Sequence, residues 1–413
     1  MRFLTAGESH GKGLVTIIDN FPAGVKIDGD FIDGKLALRQ SGYGRGARQK
    51  IETDKIEFLS GVRGGYTTGS PISFFLKNKD YENWKERMDN YKPFSEETKI
   101  HVPRPGHADF AGSLKYALDD IRNVLERSSA RETASRVAVG AMCQALLKNF
   151  GIEFASAVIG IGGMGEINAP NRRRQLKTSE NTKKAGDHVF KSNNLDLFDE
   201  IISANIHNSE LRLPFPGLEK KIRLLIDEAK KQGDTVGGVF EVQVKNVPVG
   251  LGSYIQWDEK LDGHIAMSCM SIQAIKSVEI GAGVISSSIK GSDYQDSIFY
   301  NKAAGRYFRK TNNAGGIEGG MSNGEVIAVR CAMKPLPTLM KPYLNTVNLK
   351  TKKDEKAFPE RSDICAVPAA SIVGEAAVAY SIALFFLKKF GGDSLTEIKR
   401  NYDGYIRQIS GAA

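Results

Sequence analysis

Asn20-Phe21-Pro22-Ala23-Gly24-Val25 has a counterpart far along the chain in Asn246-Val247-Pro248-Val249-Gly250-Leu251. Each stretch follows an alternating, strand-like run, Gly13 to Ile18 in the first case and Gly238 to Val244 in the second. A strand running into a Pro-x-Gly turn is common on its own. Two such units after similar strands also fit a duplication, with similar halves at about 1–230 and 231–413 inside a single domain spanning 1–413. Both readings stand at this point.

Two helices are marked around these strands. Ser129-Ala130-Arg131-Glu132 matches a capping box, and an apolar-periodic run through Val137, Ala141, Ala145 and Leu146 follows it as far as Gly151. A second helix is expected from about Pro368 to Gly391, with Lys388 and Lys389 in its last turn. It is apolar almost all round, so it belongs inside the protein. Its longest apolar stretch, Ala376 to Leu387, is too short to span a bilayer. Further strands are expected at Ile152 to Ile161 and Val326 to Cys331. Strands and helices are interspersed without regular alternation, which predicts an α+β fold rather than a doubly wound sheet. The Lys-, Arg- and Asn-rich segment from Asn168 to Asn194 reads as part of a peripheral excursion over about 168–216.

The chain has 413 residues and a formal net charge of +9, a balance that suits nucleic acid or small anionic ligands, or is a surface excess without a role. Its four cysteines, Cys143, Cys269, Cys331 and Cys365, form no CxxC and keep no regular spacing. That argues against zinc and structural disulfides and fits a reducing cytoplasm. The opening residues do not read as a signal peptide, because Gly7-Glu8 interrupts a short apolar run.

Several short stretches carry chemistry. Gly7-Glu8-Ser9-His10-Gly11 and Arg104-Pro105-Gly106-His107-Ala108-Asp109 each set a histidine in a turn, and Asp109 is a candidate cap for the helix after it. The glycine-rich loop from Arg39 to Arg48 carries Arg39, Arg45 and Arg48, whose guanidinium forks match phosphate and carboxylate oxygens; a solvated basic loop is the plain alternative. Arg127-Ser128-Ser129-Ala130-Arg131-Glu132 opens a helix, where backbone N–H groups favour an anion. The glycine-rich run Gly315 to Gly324 precedes a strand, unlike a Walker or Rossmann loop, and suits close approach to a flat ligand or to another chain segment. Lys334-Pro335-Leu336-Pro337-Thr338 is a stiff segment able to hold a phosphate, and Arg361-Ser362-Asp363 places a candidate base beside an arginine.

Taken in order, these stretches resemble the chorismate synthase family, together with Arg127 through Arg136, Gly233-Asp234-Thr235-Val236-Gly237-Gly238 and Ser271-Ile272-Gln273-Ala274. The resemblance covers most of the chain and departs from the family mainly between Asn168 and Pro216. Leu38 stands where many members carry another arginine. The resemblance implies a β-α-β sandwich with an internal pseudo-two-fold repeat, assembled as a homotetramer in the cytoplasm. It implies a 1,4-elimination of phosphate and a ring proton from 5-enolpyruvylshikimate 3-phosphate to give chorismate, with reduced FMN but no net redox change.

The same resemblance assigns site residues. His10 would be the general acid for the departing phosphate, His107 would act at the flavin N1 edge, and Asp363 would remove the ring proton with flavin N5. Ser9, Arg39, Arg45, Arg48, Arg131 and Arg361 would bind substrate. Arg127, Ser128, Ser129, Gln273, Ala274, Gly319, Lys334, Pro335, Leu336, Pro337, Thr338 and Arg361 would bind FMN. Arg39 and Arg45 also match positions for NADPH, so they serve substrate, reductant or both. The length leaves no room for an appended reductase domain, which points to an external flavin reductase as a partner. Two other readings remain: a flavoprotein oxidoreductase on an anionic substrate, and a nucleic-acid-binding protein supported by the charge and Arg172-Arg173-Arg174. The second lacks a basic stripe interleaved with aromatics, and the expectation is no nucleic acid, no membrane and no metal.

Overall fold

The structure, a computed structural model, describes residues 1–46, 53–93, 95–165, 206, 209–302, 305–359 and 362–410. A first antiparallel sheet runs in the order β1 (Arg2–Ala6), β2 (Gly13–Asp19), β6 (Ile72–Lys77), β3 (Ile56–Ser60), with the small hairpin β4 (Val62–Arg63) and β5 (Tyr66–Thr67) between β3 and β6 in the chain. Its residues alternate as a half-buried sheet requires. Leu14, Ile18, Ile72, Phe74 and Leu76 point inward, while Leu4, Val15 and Ile17 stay exposed on the other face.

The second sheet contains β7 (Glu153–Ile161), β8 (Met164–Gly165), β9 (Gly238–Lys245), β10 (Ile275–Ile280) and β15 (Ile327–Met333), in the antiparallel order β10-β15-β9-β7-β8. Between β10 and β15 the chain forms the hairpins β11 (Ile298–Asn301) with β12 (Arg306–Arg309) and β13 (Ile317–Glu318) with β14 (Met321–Ser322). The architecture is a mixture of helices and antiparallel sheets, as the interspersed pattern predicts. The described part of the excursion reduces to Ile206 and residues 209–216; residues 166–205, with Arg172 to Arg174, lie outside the described residues.

The α-helices of seven residues or more among the described residues are α1 (Gly29–Gln40), α2 (Asp109–Lys115), α3 (Arg122–Ser128), α4 (Thr133–Lys148), α5 (Pro216–Gln232), α6 (Leu261–Met270), α7 (Val367–Phe390) and α8 (Leu395–Ser410). α4 packs on β2 and β7, and α7 packs on β7 and β9 as well as on α1, α4 and α6. α7 is long and apolar enough to cross a membrane by length and composition. The unbroken apolar run of the sequence understates it, because the helix continues back through Glu375 and Ser371. Most of it is nevertheless buried inside the protein, where each enclosed Ile or Phe contributes ~1.5–3 kcal/mol. Small residues allow the close crossings. A Cβ added at Gly140 of α4 would stand 2.3 Å from the Ala376 Cβ, and one at Gly374 would stand 2.3 Å from the Phe240 ring.

The paired turns of the opening sequence have the same local geometry. Asn20 and Asn246 both take left-handed backbone, at φ 59° and 61°. The Thr67 hydroxyl donates to the Pro22 carbonyl at 2.6 Å and accepts from the Val25 N–H at 2.9 Å. The Ser322 hydroxyl donates to the Pro248 carbonyl at 2.6 Å and accepts from the Leu251 N–H at 2.8 Å. Each hydroxyl ends a hairpin whose two turn residues are glycines at positive φ, Gly64 and Gly65 in β4–β5, Gly319 and Gly320 in β13–β14. The close backbone approach expected of the Gly315 to Gly324 run is therefore to other chain: a Cβ at Gly315 would meet the Gly281 N at 2.3 Å.

Candidate active site

A cleft of about 1150 Å³ opens where the β1–β2 loop, the end of α1, the start of α4 and the segment after β15 converge. Its volume lies just above the ~300–1,000 Å³ usual for small-molecule sites. His10 is on its wall, and Glu126 from α3 fixes it. The His10 Nδ1 lies 2.9 Å from Glu126 Oε1, and the His10 backbone N–H donates to Glu126 Oε2 at 2.7 Å. The imidazole stacks on Trp84, with ring centroids 4.0 Å apart and planes at 30°. Burial pushes the Glu126 carboxyl up, but hydrogen bonding and charge from His10, with Arg122 nearby, outweigh it and hold it below the usual carboxylate range. The Ser129 hydroxyl donates to Ser9 Oγ at 3.1 Å, tying this loop to the start of α4.

Buried arginines form the floor. Arg39, in the last turn of α1, donates from Nε to Thr133 Oγ1 and from Nη2 to the Ala130 carbonyl, both at 2.8 Å. Arg131 donates from Nη1 to both oxygens of Asp54, at 2.7 and 2.6 Å, and from Nε to Asn78 Oδ1 at 2.8 Å. Burial brings the Arg39 guanidinium down to about 9; Asp54 opposes this, and the like charges of Arg131 and Arg45 add to it. Arg45 Nη1 meets Asp363 Oδ2 at 2.7 Å, and the Gly46 N–H donates to Asp363 Oδ1 at 2.6 Å. Arg131 Nη2 and Arg45 Nε are buried with no hydrogen-bond partner among the described residues, and Gln273 Oε1 is in the same state. Buried donors in this condition favour an anionic ligand that accepts from them.

His107 stands on another part of the wall. Its Nδ1 makes a short contact with Asp109 Oδ1, and Arg104 donates from Nε to Asp109 Oδ2 at 2.9 Å. Burial pushes the Asp109 carboxyl up, but the hydrogen bonds from His107 and Arg104 bring it to about 2. Asp109 is thus not the helix cap expected from sequence. Ala108 occupies the cap position without a side-chain bond, and Asp109 begins α2 with its carboxylate turned to His107 and Arg104. Arg104 Nη1 donates to Thr338 Oγ1 at 3.0 Å, and Lys334 Nζ donates to the Gly106 carbonyl at 2.6 Å, so the stiff segment after β15 is joined to the His107 turn.

Ser9, Arg39, Arg45, Ser128, Ser129, Arg131, Gln273, Ala274, Lys334, Leu336, Pro337, Thr338 and Asp363 line the cleft with the two histidines. Three expected residues do not line it. Arg127 donates to the Thr5 carbonyl at 2.8 Å and the Gly7 carbonyl at 3.1 Å, on the wall of a second cavity of about 630 Å³ beside Phe3 and Tyr380. Gly319 lies in the exposed turn of β13–β14, and Pro335 stays off the cleft wall. Arg48 and Arg361 lie outside the described residues. Glu126, Asp54, Asn78 and Trp84 escape the sequence reading altogether. Glu126 adjoins the Arg127 motif, which is a usable signal; nothing in spacing marks the other three, whose partners are remote in sequence.

Two histidines each braced by a carboxylate, with buried guanidinium groups beside them, make a cleft of the kind found in enzymes that act on small polyanions. Residues 1–387 match a family profile described as Chorismate synthase. A chorismate synthase of Alkaliphilus metalliredigens is 52% identical over 404 residues, covering 98% of this chain and 99% of the relative. One of Aquifex aeolicus is 48% identical, covering 99% and 98%. A solved structure titled "Crystal Structure of Chorismate Synthase" is similar with a TM-score of 0.75 and 39% identity, covering 99% of this chain and 98% of the other. The chain belongs to the chorismate synthase family, and it is a lyase of the shikimate pathway. Enzymes of this family act on 5-enolpyruvylshikimate 3-phosphate and generally require a reduced flavin.

Proposed function

We propose that phosphate and a ring proton are eliminated from 5-enolpyruvylshikimate 3-phosphate in the large cleft, with His10, His107 and Asp363 as its catalytic residues. The observation that carries this reading is the meeting of two carboxylate-braced histidines with buried arginines, two of which, Arg45 at Nε and Arg131 at Nη2, keep a nitrogen without a partner among the described residues. Arg39, Arg45 and Arg131, together with Arg48 and Arg361, hold the substrate's phosphate and two carboxylates, and Ser9 helps to fix the loop against them. His10, with Nδ1 turned to Glu126, gives its proton from Nε2 to the departing phosphate. His107 holds a proton at the cofactor's N1 edge, kept in place by Asp109. Asp363 takes part in removing the ring proton beside the cofactor's N5. Its contacts with Arg45 and the Gly46 N–H orient it.

We assign the flavin as FMN. Ser128, Ser129, Gln273, Ala274, Lys334, Leu336, Pro337 and Thr338 line the cleft with hydroxyl, amide, backbone and ammonium groups, a donor set that fits a ribityl phosphate and a flat ring. Bound and reduced, FMN supplies the electron density that assists C–O cleavage. Arg127, Gly319 and Pro335 join this set only if the assembled protein brings them to it. NADPH at Arg39 and Arg45 is a candidate reductant, although an external flavin reductase is the source we favour. Aerobic turnover with FMN and NADPH alone would decide between them.

The matched turns and hairpins support a β-α-β sandwich made of two copies of one unit, about 1–230 and 231–413. The exposed apolar face of the first sheet, with Leu4 at 67% exposure, supports self-association, which we assign as a homotetramer, and we assign the protein to the cytoplasm. The residue assignments are tested by His10→Ala and His107→Ala. Each is expected to lower turnover ~10²–10⁴-fold while leaving FMN affinity within about threefold; near-normal turnover in either variant removes its assigned role.

A further inference from the structure

Asn78 follows β6 and is 1% exposed, and its side chain makes four hydrogen bonds. The Nδ2 amide donates to the carbonyls of Glu8, Ser9 and Gly11, at 3.0, 3.2 and 2.8 Å. Those carbonyls bracket His10, so the amide gathers the loop around the acid. On its other side Asn78 Oδ1 accepts from Arg131 Nε at 2.8 Å. The Asn78 backbone N–H donates to the Lys12 carbonyl at 3.1 Å, which closes the loop's far end. One rigid amide therefore touches both the histidine loop and the buried arginine, whose Nη2 has no partner among the described residues. Arg131 is braced from the opposite side by Asp54. An amide has the two faces this position needs: a double donor toward three oxygens and an acceptor toward a guanidinium.

We propose that Asn78 is a positioning residue that fixes the distance between His10 and Arg131, and so between proton donor and anion clamp. The proposal rests on the roles given above to His10 and Arg131. A displacement of ~1 Å between such groups can lower turnover ~10²-fold. Asn78 touches neither substrate nor cofactor in this account; it acts through the two elements it joins.

Asn78→Asp separates the two faces. It keeps an acceptor for Arg131 Nε but sets carboxylate oxygen against three carbonyls, so the histidine loop shifts while the arginine stays. With dithionite-reduced FMN under anaerobic conditions, kcat for phosphate release is expected to fall ~10–100-fold, KM to stay within about threefold, and the pH profile to change shape. Asp54→Asn, which loosens Arg131 and the neighbouring Arg39 but leaves the amide on the histidine loop in place, is expected to give the opposite split, with KM raised more than kcat is lowered. If Asn78→Asp fails to fold by circular dichroism, Asn78→Ser is read in its place; its single short hydroxyl serves one carbonyl at most and gives up the Arg131 contact, so kcat is expected to fall and KM to rise together. Wild-type kcat and pH profile in the folded variant, an identical pattern for the Asn78 and Asp54 variants, or failure of both Asn78 variants to fold would each overturn the proposal. His10→Ala is run in parallel. If it is inactive while Asn78→Asp behaves as wild type, only the Asn78 proposal fails; if it is fully active, the reading of His10 itself has failed.

Discussion

A histidine has two ring nitrogens, and Glu126 decides which one of His10 faces the reaction. With Nδ1 held at 2.9 Å by a carboxylate that stays ionised, the protonated imidazole is matched by a neighbouring charge, and proton transfer falls to Nε2. Glu126→Gln keeps a similar shape but removes that charge. Turnover is expected to fall ~10-fold, as read from kcat for phosphate release. An unchanged kcat would reduce Glu126 to a packing group. The histidine was legible in the sequence, because its Gly-Glu-Ser-His-Gly setting takes its place in an ordered series of motifs. Its partner was not. A carboxylate 116 residues away is marked only by its place beside the Arg127 motif, and Asp54 beneath Arg131 and Trp84 beside the imidazole have no local signature at all.

At the scale of elements, periodicity located α7, the end of α4 and four of the strands to within two residues, but not α5 or α8, which are as long as α4. The start of α4 was read less well. The expected capping box is only half formed: Ser129 Oγ accepts from the Arg131 N–H, but Glu132 turns to Arg136 and the Thr5 hydroxyl. Ion pairing outweighed the local cap because Arg136 and Thr5 lie within reach, which spacing alone does not reveal. The crossing of α4 and α7 was also invisible, since it depends on Gly140 lying against Ala376. Gly140→Ala pushes a methyl into that contact and is expected to cost ~1–3 kcal/mol, seen as a lower urea midpoint at unchanged slope. A midpoint equal to wild type would mean that the crossing is looser than described.

Over the whole molecule, one polar cluster sits inside the helix layer. Glu375 of α7 accepts from Lys35 of α1, from Gln144 Nε2 of α4 at 3.0 Å and from Ser156 Oγ of β7 at 2.6 Å. Burial pushes its carboxyl up, yet Lys35, Ser156 and Arg212 bring it to about 2. A carboxyl held below its unfolded value of ~4.3 adds stability that is complete above that pH and disappears as pH falls toward the folded value. Asp109, also at about 2, acts in the same direction. Urea stability should therefore be level from neutral pH to about 5 and drop between about 4 and 2, with a shallower acid drop in Glu375→Gln, which is itself destabilised by ~3–5 kcal/mol because Lys35 loses its counter-charge. The pairing of strands into two sheets was not legible, because hydrophobic pattern gives the face of a strand but not its neighbour. The repeated Pro-x-Gly turn was the one trace of long-range order in the sequence. The central claim concerns the chemistry of the cleft, and anaerobic phosphate release from 5-enolpyruvylshikimate 3-phosphate with chemically reduced FMN tests it most directly. The account predicts one phosphate and one chorismate per substrate, with no stoichiometric consumption of reductant; folded protein that releases no phosphate, or that consumes one reductant per turnover, would contradict it.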